Sequence, residues 1–185
     1  RRGFALFLLK EFAKIFFAKE QYPLTEQEKR AHRCCFTGHR PEKINLSPKV
    51  IMSALEEEIR RAYADGFYVF ISGMAPGVDT WAAEIILQLR DKEHMPIKLI
   101  AASPFDGFEK RWSKDWQERY NKIMKEADLV RYISPNYFPS CFQVRNEWMV
   151  DHSARVIAVF NGQKSGTKNT IDYARKHQIQ VINVI

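Results

Sequence analysis

The chain has 185 residues, 45% of them hydrophobic and 28% charged, and a formal net charge of +7. This composition excludes a disordered or low-complexity polypeptide and suits one globular domain with an appendage. The positive balance is compatible with an anionic partner without choosing between nucleotide, nucleic acid and acidic lipid.

Residues 1–30 read as an N-terminal amphipathic helical extension. Lys10, Glu11 and Lys14 interrupt its apolar run, which argues against a membrane-spanning helix or a signal-peptide core. Projected on a helix, they share one arc, opposite Phe4, Leu8, Phe12 and Phe16. The reading we favour is a helix that packs on the domain or on a second copy of itself. A membrane-surface helix is the weaker one. "TEQE" at 25–28 resembles a capping box that opens a short connector. The boundary falls near residue 30, and a single domain over 31–185 follows.

The first strand is expected over 33–37. It contains Cys34 and Cys35, which as strand neighbours point to opposite faces. The three cysteines are odd in number and show no CxxC or Cys/His ligand spacing, so no disulfide framework or structural zinc is expected, and a cytoplasmic location is. Ser47 followed by Pro48 opens a helix that runs to 65. Strand 67–72, helix 79–92 and strand 97–102 come next, then one aromatic, polar helix over 108–127. Strand 128–133, helix 144–154, strand 155–160, helix 167–177 and strand 179–185 complete the chain. Apolar strands alternating with helices imply an α/β fold: a three-layer, Rossmann-like, doubly wound, mostly parallel sheet.

In such a sheet the segments leaving the strand ends share one edge, where ligands bind. Here that edge collects glycines, hydroxyls, amides and arginines. Thr37, Gly38, His39 and Arg40 follow the first strand. Gly73, Met74, Ala75, Gly77 and Asp79 follow the second, with Asp79 expected to cap the next helix. Arg145 and Asn146 lie on the helix after the fourth strand. Ser165, Gly166, Thr167 and Asn169 follow the fifth. Two helix N-termini and two arginines at one crevice suit a diphosphate or nucleotide. "GMAPG" is neither a Walker loop nor GxGxxG, which argues against P-loop ATP hydrolysis and ordinary NAD-dependent hydride transfer. His39 is a weak candidate acid or base without a partner carboxylate. Trp112, Trp116, Tyr120 and Ile123 follow helical spacing and read as an inward stripe before they read as a nucleic-acid platform.

"CCFTGHRPEKI", "SGMAPGVDTWAAE", "CFQVRNEWMVDHS" and "NGQKSGTKNT" resemble the YpsA-like branch of the SLOG superfamily, over about residues 33–185. The resemblance implies a Rossmann-like fold and a nucleotide or ADP-ribose-related ligand. The wider relatives include single-strand-binding DprA proteins and LOG phosphoribohydrolases. By motif, the glycine-rich signature falls on Gly73, Ala75, Gly77 and Asp79, and the glycine-threonine loop on Gly166 and Thr167. The 37–40, 73–79 and 165–169 segments would then wall an anion pocket closed by Arg145 and Asn146. LOG hydrolases carry a glutamate where this chain has Thr170, and a glycine where it has Lys164. A cytoplasmic ligand-binding sensor or regulator is therefore the expectation. Its alternatives are an N-glycosidic hydrolase using His39, Asp79 or Glu84, and a DprA-like single-strand binder. No cofactor beyond the ligand is expected, nor a metal; self-association would run through the N-terminal helix.

Overall fold

A computed structural model describes residues 23–185. The expected amphipathic helix, and its self-association or membrane contact, lie outside the described residues. Six strands, β1 (Arg33–Gly38), β2 (Val69–Ser72), β3 (Lys98–Ser103), β4 (Leu129–Tyr132), β5 (Arg155–Val159) and β6 (Gln180–Asn183), form one sheet. All pairs are parallel, in the order β4-β3-β2-β1-β5-β6. The helices are α1 (Glu26–Arg30), α2 (Pro48–Ala64), α3 (Val78–Lys92), α4 (Lys114–Glu126), α5 (Cys141–Asp151) and α6 (Gly166–Lys176).

The chain starts mid-sheet at β1, steps outward through β2 and β3 to β4, then returns to β5 on the other side of β1. With right-handed crossovers, the outward steps place α2, α3 and α4 in one layer and the return places α5 and α6 in the other. The two cores follow this division. Phe36, Ile51, Leu55, Phe70 and Ile86 pack in the first, and Ile71, Met149, Val156 and Ala174 in the second. Cys34 joins the first cluster and Cys35 the second, as strand alternation requires. All three cysteines are free and buried; burial pushes the Cys35 thiol up to about 12.

Local chemistry accounts for the element ends. Ser47 Oγ accepts from the Val50 amide at 3.4 Å, and Pro48 occupies the first turn of α2. Thr25 and Glu28 form the expected capping box on α1. Arg30 Nε donates to the Ser153 carbonyl at 3.1 Å, tying α1 to the domain.

The expected single helix over 108–127 is two pieces: a 3-10 turn, Phe108–Arg111, and α4. Gly107 enters the turn left-handed (φ 78°), and Trp112 is extended. Trp112 packs edge-on against buried Phe108 at 4.6 Å, and extended backbone at Trp112 and Ser113 separates the turn from α4. Tyr120 and Ile123 do form the buried stripe of α4. Helix α5 starts three residues earlier than expected, at Cys141.

Candidate functional site

Strand order reverses at the β1–β5 pair, where β1 leads toward one helix layer and β5 toward the other. The two exits therefore diverge and open a crevice at the carboxyl edge. A cleft of about 250 Å³ occupies this position. From the β1 exit, Thr37, Gly38, His39 and Arg40 line it. His39 is 3% exposed and stacks on Phe160 with centroids 5.5 Å apart. Its Nε2 has no hydrogen-bond partner among the described residues. Burial pushes the His39 pKa below its ordinary value; Asn161 opposes this and Lys43 adds to it.

The β2 exit contributes Ala75 and Asp79 to the cleft. The expected cap on Asp79 is corrected: Gly77 is the N-cap of α3, at φ 95°, a conformation glycine adopts without a Cβ clash. Asp79 sits inside the first turn and reaches back, its Oδ2 accepting from the Ala75 amide at 3.3 Å. Ser72 Oγ accepts from the Met74 amide at 3.1 Å. The Met74 and Ala75 amides are thus engaged within the loop. Met74 itself is fully buried at φ 64°, and Gly77 lies against Pro41.

Helix α5 delivers Arg145 and Asn146. Arg145 is 5% exposed, and its Nη1 lies 3.6 Å from Asp79 Oδ2, beyond hydrogen-bond length. Neither Nε nor Nη1 of Arg145 has an acceptor among the described residues. Gly73 makes room for this guanidinium, since a Cβ there would stand 2.0 Å from Nη1. Burial pushes the Asp79 carboxyl up and Arg145 opposes it; burial pushes Arg145 down and Asp79 opposes that. Arginine stays charged in proteins, so the pair presents unused cationic donors. The nearer-sequence carboxylates are occupied elsewhere: Glu147 accepts from Gln143, and Asp151 from Tyr173.

Helix α6 closes the cleft with Ser165, Gly166 and Thr167. Ser165 caps it, Oγ accepting from the Lys168 amide at 3.2 Å. Gly166 and Thr167 are its first two residues, whose amides have no intrahelical acceptor. The N-terminal end of a helix of this length favours an anion.

Eleven of the fifteen expected residues thus share one cleft. Gly73, Met74 and Gly77 shape its wall from behind, and Asn169 is exposed further along α6. The sequence reading missed Phe36, Lys43, Phe108 and Phe142. The signal for the last two was available, because aromatics follow both the third and fourth strands on the ligand edge. Glu84 faces elsewhere, gripped by Arg119 at 2.7 and 2.6 Å. Thr170 is buried and donates to the Gly166 carbonyl at 2.9 Å. Trp81 is core. Among the described residues no group of His, Cys, Asp and Glu is arranged to hold a metal ion, and no helix is long and apolar enough to cross a membrane.

A parallel, doubly wound sheet with a cationic crevice at its switch point defines a Rossmann-like protein with an edge cleft. The model of the YspA SLOG family matches residues 34–183, and the chain belongs to that family. It is 35% identical to the SPbeta prophage-derived protein YoqJ of Bacillus subtilis (strain 168), over 74% of this chain and 84% of YoqJ. A UPF0398 protein of Bacillus thuringiensis (strain Al Hakam) is 29% identical, over 80% of this chain and 84% of that protein. DNA processing protein A from Helicobacter pylori, solved in a study of its single-stranded DNA binding, shares the fold with a TM-score of 0.59 at 21% identity. That match covers 84% of this chain and 66% of the solved one.

Proposed function

We propose that the chain is a cytoplasmic ligand-binding protein of sensor or regulatory type, whose cleft takes the phosphates of a nucleotide or ADP-ribose-related molecule. One observation carries the reading: Arg145 is nine-tenths buried in the cleft wall with two donors unused. Buried unsatisfied donors cost about 1–3 kcal/mol each. A phosphate accepting from the guanidinium, His39 and the first amides of α6 would remove that cost with charge-assisted hydrogen bonds. The carboxylates considered for turnover do not favour it, since Asp79 is held by Ala75 and Arg145 and Glu84 by Arg119.

Thermal unfolding with ADP-ribose, NAD, ADP and AMP at millimolar concentration tests the reading. A ligand at a hundredfold excess over its Kd adds about 2.7 kcal/mol and raises the midpoint. No shift with any of the four contradicts it. Mass spectrometry after prolonged incubation should recover the ligand intact; cleaved product would make the protein an enzyme.

The Helicobacter protein's single-stranded DNA binding and the net charge of +7 support a second reading, a single-strand binder. It requires affinity that falls steeply with salt, because each neutralised phosphate releases counterions. A flat salt dependence removes it.

A further inference from the structure

We propose that the base of the bound nucleotide sits in a second, aromatic subsite beside the cleft, built by the connections leaving β3 and β4. This deepens the nucleotide reading and rests on it. A groove of about 550 Å³ adjoins the cleft and shares Arg40, Phe108 and Phe142 with it, so one molecule reaches both. The cleft alone, at about 250 Å³, is smaller than the roughly 300–1,000 Å³ of ordinary small-molecule sites. A ligand larger than its phosphates must extend beyond it.

The groove's chemistry selects a flat, heteroaromatic extension. Tyr137 is 62% exposed and Phe142 37%, and both flank Phe105, with centroids 5.7 and 6.3 Å away. Rings left open to water forgo burial energy; a base stacked on them recovers it. Arg40, Lys110 and Arg111 also line the groove. None of the three has an ion-pair partner among the described residues, and Asp106 and Glu109 lie by Tyr132. A purely apolar guest would not need those cations, and a bare polyanion would not need the rings.

The groove is also held in shape from the core. Tyr120 donates to Ser103 Oγ at 2.8 Å, and Ser103 Oγ donates to the Phe105 carbonyl at 3.1 Å. The Ser134 amide donates to the Pro104 carbonyl at 2.9 Å, joining the two connections. Preformed walls lower the entropic cost of seating a base.

Calorimetric titration with ADP, GDP, CDP and UDP, against the base-free probes ribose 5-phosphate and inorganic pyrophosphate, tests the proposal. At least one nucleotide should bind about fivefold or more tighter than either base-free probe. Tyr137→Ala should erase that advantage and Tyr137→Trp should keep it. Equal affinity for base-bearing and base-free probes overturns the subsite while leaving the phosphate cleft standing. Binding of none of the six overturns both. Salt-sensitive binding of a short oligothymidylate, with no base advantage among the diphosphates, assigns the groove to a polynucleotide and overturns the proposal.

Discussion

Arg145 concentrates the physics of the cleft. Its charge is balanced by Asp79 at 3.6 Å, yet two of its donors remain unused. Breaking a buried pair from one side costs about 3–5 kcal/mol, whereas replacing both members is often neutral. Arg145→Met should therefore destabilise the protein by about 3 kcal/mol in urea unfolding. Adding Asp79→Asn should restore most of that stability, and neither variant should bind ADP-ribose. Restored binding in the double variant would deny the guanidinium its role. Gly73→Ala drives a methyl against Nη1 and should cost about 1–3 kcal/mol as an overpacked site. His39 supplies a pH signature. Its depressed pKa means that the unfolded chain takes up the proton first. Stability from this group is full above the ordinary histidine value of about 6.5 and declines as pH falls toward the folded value. A bound diphosphate favours imidazolium, so affinity should rise between pH 8 and pH 6. ADP-ribose, whose diphosphate does not titrate there, isolates the effect by calorimetry, and His39→Gln should flatten it. Thr37 to Arg40 could be placed on the ligand edge from the sequence, because β1 ends where its apolar run ends. The burial of Arg145 could not, since Glu147 and Asp151 offered nearer partners and Asp79 lies on a distant helix.

Alternation of apolar strands and capped helices made the six strands and the α-helices between them legible, with most ends shifted by a few residues, but neither 3-10 turn. The misread element was the aromatic stretch after β3. Its spacing fits one helix through Trp112, but extended backbone at Trp112 and Ser113 breaks it, and Ser113 becomes the N-cap of α4. Phe105 before the turn, Phe108 within it and Trp112 just after it all line the aromatic groove. The Tyr120–Ser103–Phe105 chain should matter accordingly: Tyr120→Phe should lower stability by about 1 kcal/mol in urea unfolding. It should also reduce the preference for base-bearing ligands. At α6, Ser165→Ala removes the cap and should cost about 1 kcal/mol. At α3, Asp79 was misassigned because a carboxylate in the first turn and one at the N-cap look alike in sequence; the left-handed backbone at Gly77 decides between them.

For the whole molecule, the order β4-β3-β2-β1-β5-β6 decides where chemistry can occur. Between β1 and β5 neighbouring strands send their connections to opposite layers, and there His39, Arg145 and the start of α6 meet. The aromatic groove lies toward the β3–β4 side of the same edge and shares Arg40, Phe108 and Phe142 with the cleft, so strand order sets the two side by side. Membership of the YspA SLOG family agrees with the fold that the β-α alternation implied. Identifying the bound molecule needs the groove's side chains, which no strand pattern specifies. A crystal structure of the protein grown with ADP-ribose tests the central claim most directly. The account predicts diphosphate oxygens within hydrogen-bond distance of Arg145 Nε and the Gly166 and Thr167 amides. Diphosphate bound elsewhere, with those donors left unmet beside an empty cleft, would contradict it.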